Sequence, residues 1–179
     1  MTSVRASRML AALGAALTLL LAACGGGSES RTDTASGGGT DNDDFEACAL
    51  LTPEEIQSAI GWTPDTTDEK TYQTTKTCNF IGPDPVKQSV VLIVARPAPK
   101  VSSSTELAER RTKAAASSPE MKMVFTPVEG LGMPAVKSEV EGSDRPMLEA
   151  VVGRRVLSVT TSDFEATKAL VSKAAARLH

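Results

Sequence analysis

Cys24, Cys48 and Cys78, the lone His179 and two groups of carboxylates are the residues whose types could do chemistry in this chain of 179 residues. Glu54 and Glu55 are adjacent. On a helix they point about 100° apart and cannot flank one bond. Their setting reads as a capping box, with Thr52 at the cap, Pro53 at the first helical position and Leu51 and Ile56 as a hydrophobic staple. Glu139, Glu141, Asp144 and Glu149 are the later carboxylates that offer a hydrolytic pair. They read more simply as the polar side and turn of a hairpin. His179 ends the chain, so the one imidazole sits at a fraying terminus instead of in a metal site or triad. There is no Gly-x-Ser-x-Gly elbow and no Ser-x-x-Lys beside its partners. Gly130-x-Gly132 lacks the third glycine and the following helix of a dinucleotide loop. Asp41-Asn42-Asp43-Asp44 lacks the spaced ligands, turn glycine and closing glutamate of a calcium loop. The expectation is no catalytic residue, no cofactor and no metal site. Lys+Arg 19 against Asp+Glu 22, with no basic stripe, argues against a nucleic-acid partner.

The cysteines separate by position. Arg5 and Arg8 charge the start of the chain, Met9 to Leu21 is apolar apart from Gly14 and Thr18, and Leu21-Ala22-Ala23 precedes Cys24. A charged start, a short apolar run and small residues before a cut describe an export signal, too short to span a bilayer. Ending on a cysteine, it resembles a bacterial lipoprotein signal. That resemblance implies a signal peptide over 1–23, a thioether-linked lipid on Cys24, and palmitate or a similar chain on the amine released by the cut. Two or three acyl chains anchor a protein stably, whereas one is marginal. Cys48 and Cys78 remain. In an exported chain such a pair reads as a disulfide, and thirty positions apart with no nearby His it makes a poor zinc site.

Residues 24–44 continue as Gly, Ser, Thr and Asp, a composition that buries too little apolar area to fold. This flexible linker spans roughly 25 Å. Residues 45–179 form one domain. A helix runs from Pro53 to Gly61. Lys70 to Phe80 reads as one strand with Tyr72, Cys78 and Phe80 on a common phase, and Val90 to Ala95 as a central buried strand. Ser103 to Glu106 opens a second helix as a capping box, with Leu107, Ala108, Ala114 and Ala115 as a thin buried edge and Arg110, Arg111 and Lys113 on a solvated face. Met121 to Thr126 and Ala135 to Glu141 are further strands. Met147 to Val152 and Arg155 to Thr161 frame Gly153-Arg154 as a tight hairpin, with Leu148, Ala150, Leu157 and Val159 on its core face. Ser162 to Glu165 reads as a third capping box, opening a helix that buries Leu170, Val171, Ala174 and Leu178. Strands in runs with short connections predict an α+β fold, a largely antiparallel sheet of about five to seven strands with helices mainly on one face. Trp62 is read as cover for the disulfide region, with an exposed contact role as the alternative.

Phe45-x-x-Cys48-Ala-Leu-Leu-Thr-Pro-Glu-Glu-Ile56, then Cys78-Asn-Phe80 and Val128-Glu-Gly-Leu-Gly132, resemble a family of actinobacterial lipoproteins whose domain is of unknown function. The likeness covers most of the chain from Phe45 onward. It implies a secreted, membrane-tethered, disulfide-bonded domain and supplies no catalytic residues. The expected function is a non-catalytic binding or interaction module of the cell envelope, anchored through Cys24 to the outer face of the cell membrane. Its partner would be an envelope protein, a wall polymer or a small ligand. A carrier of lipid or another apolar ligand is the alternative, and an envelope hydrolase a more distant one.

Overall fold

Three helices begin where polar side chains take up their free amides. The structure, a computed structural model, describes residues 45–117 and 122–178. A short 3-10 helix, Ala47–Leu50, leads into α1, Pro53–Ile60. The capping box closes both ways: the Glu55 amide donates to Thr52 Oγ1 at 3.3 Å, and the Thr52 amide donates to Glu55 Oε2 at 2.9 Å. Gly61 ends the helix in the left-handed conformation. Helix α2, Ser104–Ala115, is capped by Ser103, but the Glu106 carboxylate reaches one residue further back, to the Ser102 amide and hydroxyl. The expected reciprocal box is therefore displaced. Helix α3, Phe164–Ala175, is capped by Asp163 and not by Ser162. An ionised carboxylate is the stronger acceptor, and it takes the Ala166 amide at 2.7 Å.

The described strands are β1 Thr66–Tyr72, β2 Thr75–Ile81, β3 Ser89–Ala95, β4 Met123–Val128, β5 Ala135–Val140, β6 Met147–Val152 and β7 Arg155–Thr160. They form one seven-stranded antiparallel sheet in the order β1-β2-β3-β7-β6-β5-β4. Two meanders, β1 to β3 and β4 to β7, meet where β3 pairs with β7. The segment read as one strand from Lys70 to Phe80 is a hairpin. The chain reverses at Gln73-Thr74, with Gln73 at φ 52° and Tyr72 opposite Thr75. No glycine or Asn-Gly pair announces this turn. The reversal also breaks the expected phase, because Cys78 lies opposite Glu69, which leaves Tyr72 on the other side of the sheet at 74% exposure.

Register sorts the sheet into two faces. Cys78, Phe80, Val90, Leu92, Val94, Leu148, Ala150, Leu157 and Val159 join Leu50, Leu51, Ile56, Leu170, Val171 and Ala174 in the main core. This face carries the 3-10 helix, α1 and α3. The hairpin register predicted around Gly153-Arg154 holds: Ala150 faces Leu157 and Val151 faces Val156. The opposite face is covered by α2 over β4 and β5, where Leu107 and Ala108 bury against Val136 and Val151. Strand β3 is interior to the sheet but buried on one side alone; Val91, Ile93 and Ala95 remain half-exposed. The buried edge of α2 is Ser104, Leu107 and Ala108, while Ala114 is exposed. Arg111 leaves the expected solvated face and turns inward to Glu149. Gly82 is fixed by close approach, since a β-carbon there would lie 2.8 Å from Trp62 Cε3 and 2.8 Å from Gln88 Cβ.

The segment read as a signal peptide, Cys24, the segment read as a linker to residue 44 and His179 lie outside the described residues. Among the described residues no helix is long and apolar enough to cross a membrane.

Candidate functional site

The sequence of the domain's first residues sets the site. Phe45 precedes the 3-10 helix, and the Cys48–Cys78 disulfide, with a Cα–Cα separation of 5.1 Å, holds that helix on β2. The Cys48 amide donates to Glu69 Oε2 at 2.9 Å. Phe45 is thereby seated beside the sheet end where β2 begins and β3 finishes. A cavity of about 100 Å3 opens there, lined by Phe45, Gln73, Thr74, Lys76, Val94, Arg96 and Arg155.

Register brings its cations together. Lys76 lies opposite Val94, and Val94 opposite Leu157. One step beyond the Ala95 to Val156 pair, Arg96 comes level with Arg155. Lys76 Nζ sits 4.6 Å from the Phe45 ring centroid and donates to the Phe45 carbonyl. The Arg155 guanidinium carbon lies 5.0 Å from the same centroid, and its Nη1 donates to the Leu178 carbonyl at 2.9 Å. Thr74 Oγ1 donates to the Arg96 carbonyl at 2.8 Å. Cations over an aromatic face gain roughly 0.5–2 kcal/mol each, according to their desolvation. The result is a small recess walled by one aromatic ring and three cationic side chains, each of them already engaged with the protein. Among the described residues its lining includes no carboxylate, thiol or imidazole.

The carboxylates singled out by sequence go elsewhere. Glu55 accepts from Arg177 Nη1 at 2.8 Å and Nη2 at 2.9 Å, with Lys173 Nζ at 3.7 Å. These bonds, the Arg177 pair foremost, hold its carboxyl down to about 2. Glu54 is exposed, and its carboxyl is lowered chiefly by a backbone hydrogen bond at the helix start. Glu139 pairs with Lys137 at 2.7 Å and Glu141 with Lys122 at 2.9 Å. Asp144 is exposed. Glu149 is buried against Arg111 Nη2 at 2.6 Å. Glu139 lies opposite Val124, on the main-core side of β5, whereas Glu149 lies opposite Val136 on the α2 side. The sheet separates them, so they cannot flank one bond. Gly130 and Gly132 both have positive φ in the β4–β5 loop, which accounts for them by turn geometry. Trp62 is half-buried against the main core and lies over Gly82. No group of three or more His, Cys, Asp or Glu able to hold a metal occurs among the described residues.

Sequence reasoning missed the basic recess because its members come from the first turn, two strands and a strand end. One signal was present. Lys76 shares the inward phase of Cys78 and Phe80, and a charge on a buried phase asks for a partner. No protein-family model, curated protein or solved structure matches the chain.

Proposed function

We propose that this chain is an extracytoplasmic lipoprotein, tethered to the membrane through Cys24, whose domain binds a small anionic group carried by an envelope partner and catalyses no reaction. The observation that carries this reading is the recess where Lys76, Arg96 and Arg155 gather around Phe45. It lies at the point where the linker joins the domain. The lipobox-like sequence before Cys24, the linker composition and the Cys48–Cys78 disulfide support an exported, anchored chain. The engagement of Glu55, Glu139, Glu141 and Glu149 in ion pairs supports a non-catalytic role. The carrier alternative fares less well. The recess holds about 100 Å3, below the roughly 300–1,000 Å3 of typical ligand clefts. The larger grooves, such as that beside Pro97 to Val101, are open to solvent.

A photo-crosslinking residue at Gln73, on the exposed rim, tests this in intact cells. The expected adduct carries a phosphate or carboxylate group, and Arg96→Gln reduces its yield several-fold. Capture that is indifferent to Arg96→Gln, or that yields a purely apolar molecule, would contradict the reading.

A further inference from the structure

Strand β4 is one edge of the sheet, and its register fixes which backbone groups it offers. The Lys122 carbonyl accepts the Glu141 amide at 2.9 Å. At the other end Ser104 Oγ donates to the Val128 carbonyl at 2.8 Å and accepts the Ala135 amide at 3.2 Å, bridging the last rung between β4 and β5. Even-numbered residues therefore turn their backbone toward β5. The amides and carbonyls of Met123 and Phe125 and the carbonyl of Pro127 point away from the sheet. Pro127 accordingly costs the ladder no bond.

The two edges differ in how they discourage pairing. Strand β1 carries Asp68, Glu69 and Lys70, the charges that commonly guard an edge. Strand β4 reads Met-Val-Phe-Thr-Pro-Val without a charge, and Val124 is 61% exposed. Beside β4 an open groove of about 470 Å3 runs along α2, lined by Ala108, Thr112, Ala116, Phe125 and Pro127. Glu109 and Lys113 also line it, and neither makes an ion pair among the described residues.

We propose that β4 pairs antiparallel with β4 of a second copy of this chain, centred on Phe125, so that the sheet continues across a two-fold axis. In this register each Phe125 amide meets the other copy's Phe125 carbonyl, and each Met123 amide meets the other copy's Pro127 carbonyl. The two Phe125 rings lie side by side on the α2 face. Helix α2 runs antiparallel to β4, because Ser104 sits at Val128. From Val128 to Phe125 the strand advances about 10 Å at ~3.3 Å per residue. That corresponds to about seven helical residues at 1.5 Å each, which brings roughly position 111 of α2 level with the axis. Glu109 and Lys113 straddle that point, so Glu109 of one copy faces Lys113 of the other, twice. A two-fold interface requires such self-complementarity, and it favours a second copy over an unrelated strand. This inference is independent of the basic recess at Phe45.

Light scattering coupled to size exclusion, on the full lipidated chain in detergent from about 1 to about 100 µM, tests it. The expected protein mass is twice that of the protomer. Glu109→Lys sets like charges against each other at both contacts and is expected to weaken the dimer by about tenfold or more. Adding Lys113→Glu restores the opposite signs and the dimer. Because both positions are exposed on α2, this rescue separates lost pairing from lost folding. A single-protomer mass throughout, a dimer indifferent to Glu109→Lys, or one that the swap does not restore overturns the proposal.

Discussion

Glu55 joins the first helix to the last, and removing its charge gives a quantitative test of what holds the main core closed. Its carboxylate accepts the Thr52 amide inside α1 and two Arg177 hydrogen bonds from beyond the end of α3. Arg177 Nη1 also donates to the Leu50 carbonyl at 2.7 Å, so one guanidinium clamps the 3-10 helix, α1 and α3 together. The carboxyl is lowered from 4.5 to about 2, chiefly by Arg177. At about 1.4 kcal/mol per pH unit, that difference sets a ceiling of about 3–4 kcal/mol on the contribution to stability. The Arg177 side chain is 39% exposed, and solvent screening brings the expected figure to about 1–2 kcal/mol. Because the folded carboxyl is the more acidic, this stability is fully present above pH 4.5 and is lost as the pH falls toward 2. Glu55→Gln keeps an oxygen for the Thr52 amide and Arg177 Nη1, and removes the charge together with the acceptor for Arg177 Nη2. Guanidinium unfolding followed by Trp62 fluorescence should show the variant about 1–2 kcal/mol less stable at neutral pH. The gap should close as the pH approaches 2. A gap that persists unchanged in acid would refute the assignment to charge.

Other perturbations follow from the same packing. Replacing both Cys48 and Cys78 by Ala releases a loop of sequence separation 30 and should cost about 3–4 kcal/mol by the chain-entropy argument, read as a shift in the guanidinium midpoint. Arg111→Met leaves Glu149 buried without its partner and should cost about 2–4 kcal/mol, whereas Arg111→Met with Glu149→Leu should recover most of it in the same unfolding assay. Gly82→Ala forces a β-carbon against Trp62 and Gln88 and should cost about 1–3 kcal/mol, with a shifted Trp62 emission reporting the displaced ring.

The parts of the fold legible in the sequence are those with local causes. Thr52-Pro53-Glu54-Glu55 specifies its own cap, and the alternation around Gly153-Arg154 specifies its own register, because each is decided within a few residues. The apolar run Val90 to Ala95 marks an interior strand, but continuous hydrophobicity overstated its burial, since its second face is left half-open. Gln73 could not be read as a turn, because a non-glycine residue takes positive φ there with no local advertisement. Competition between neighbours decided the third cap, where Asp163 displaced Ser162. The disulfide was legible from counting cysteines. The basic recess was not, because Lys76, Arg96 and Arg155 meet only through the pairing of β2 with β3 and β3 with β7, and Phe45 joins them through the segment that the disulfide holds on β2. Arg111 likewise looked like one more exposed helix charge until register placed Glu149 beneath it.

The proposed function requires a domain held at the membrane by lipid on Cys24. Mass spectrometry of the protein isolated from its own cells tests that most directly. The predicted result is a chain that begins at Cys24, bears a diacylglyceryl thioether there, and is recovered in the membrane fraction, with Cys24→Ala abolishing the modification. A chain recovered with residues 1–23 still attached, or with an unmodified Cys24 in the soluble fraction, would contradict it.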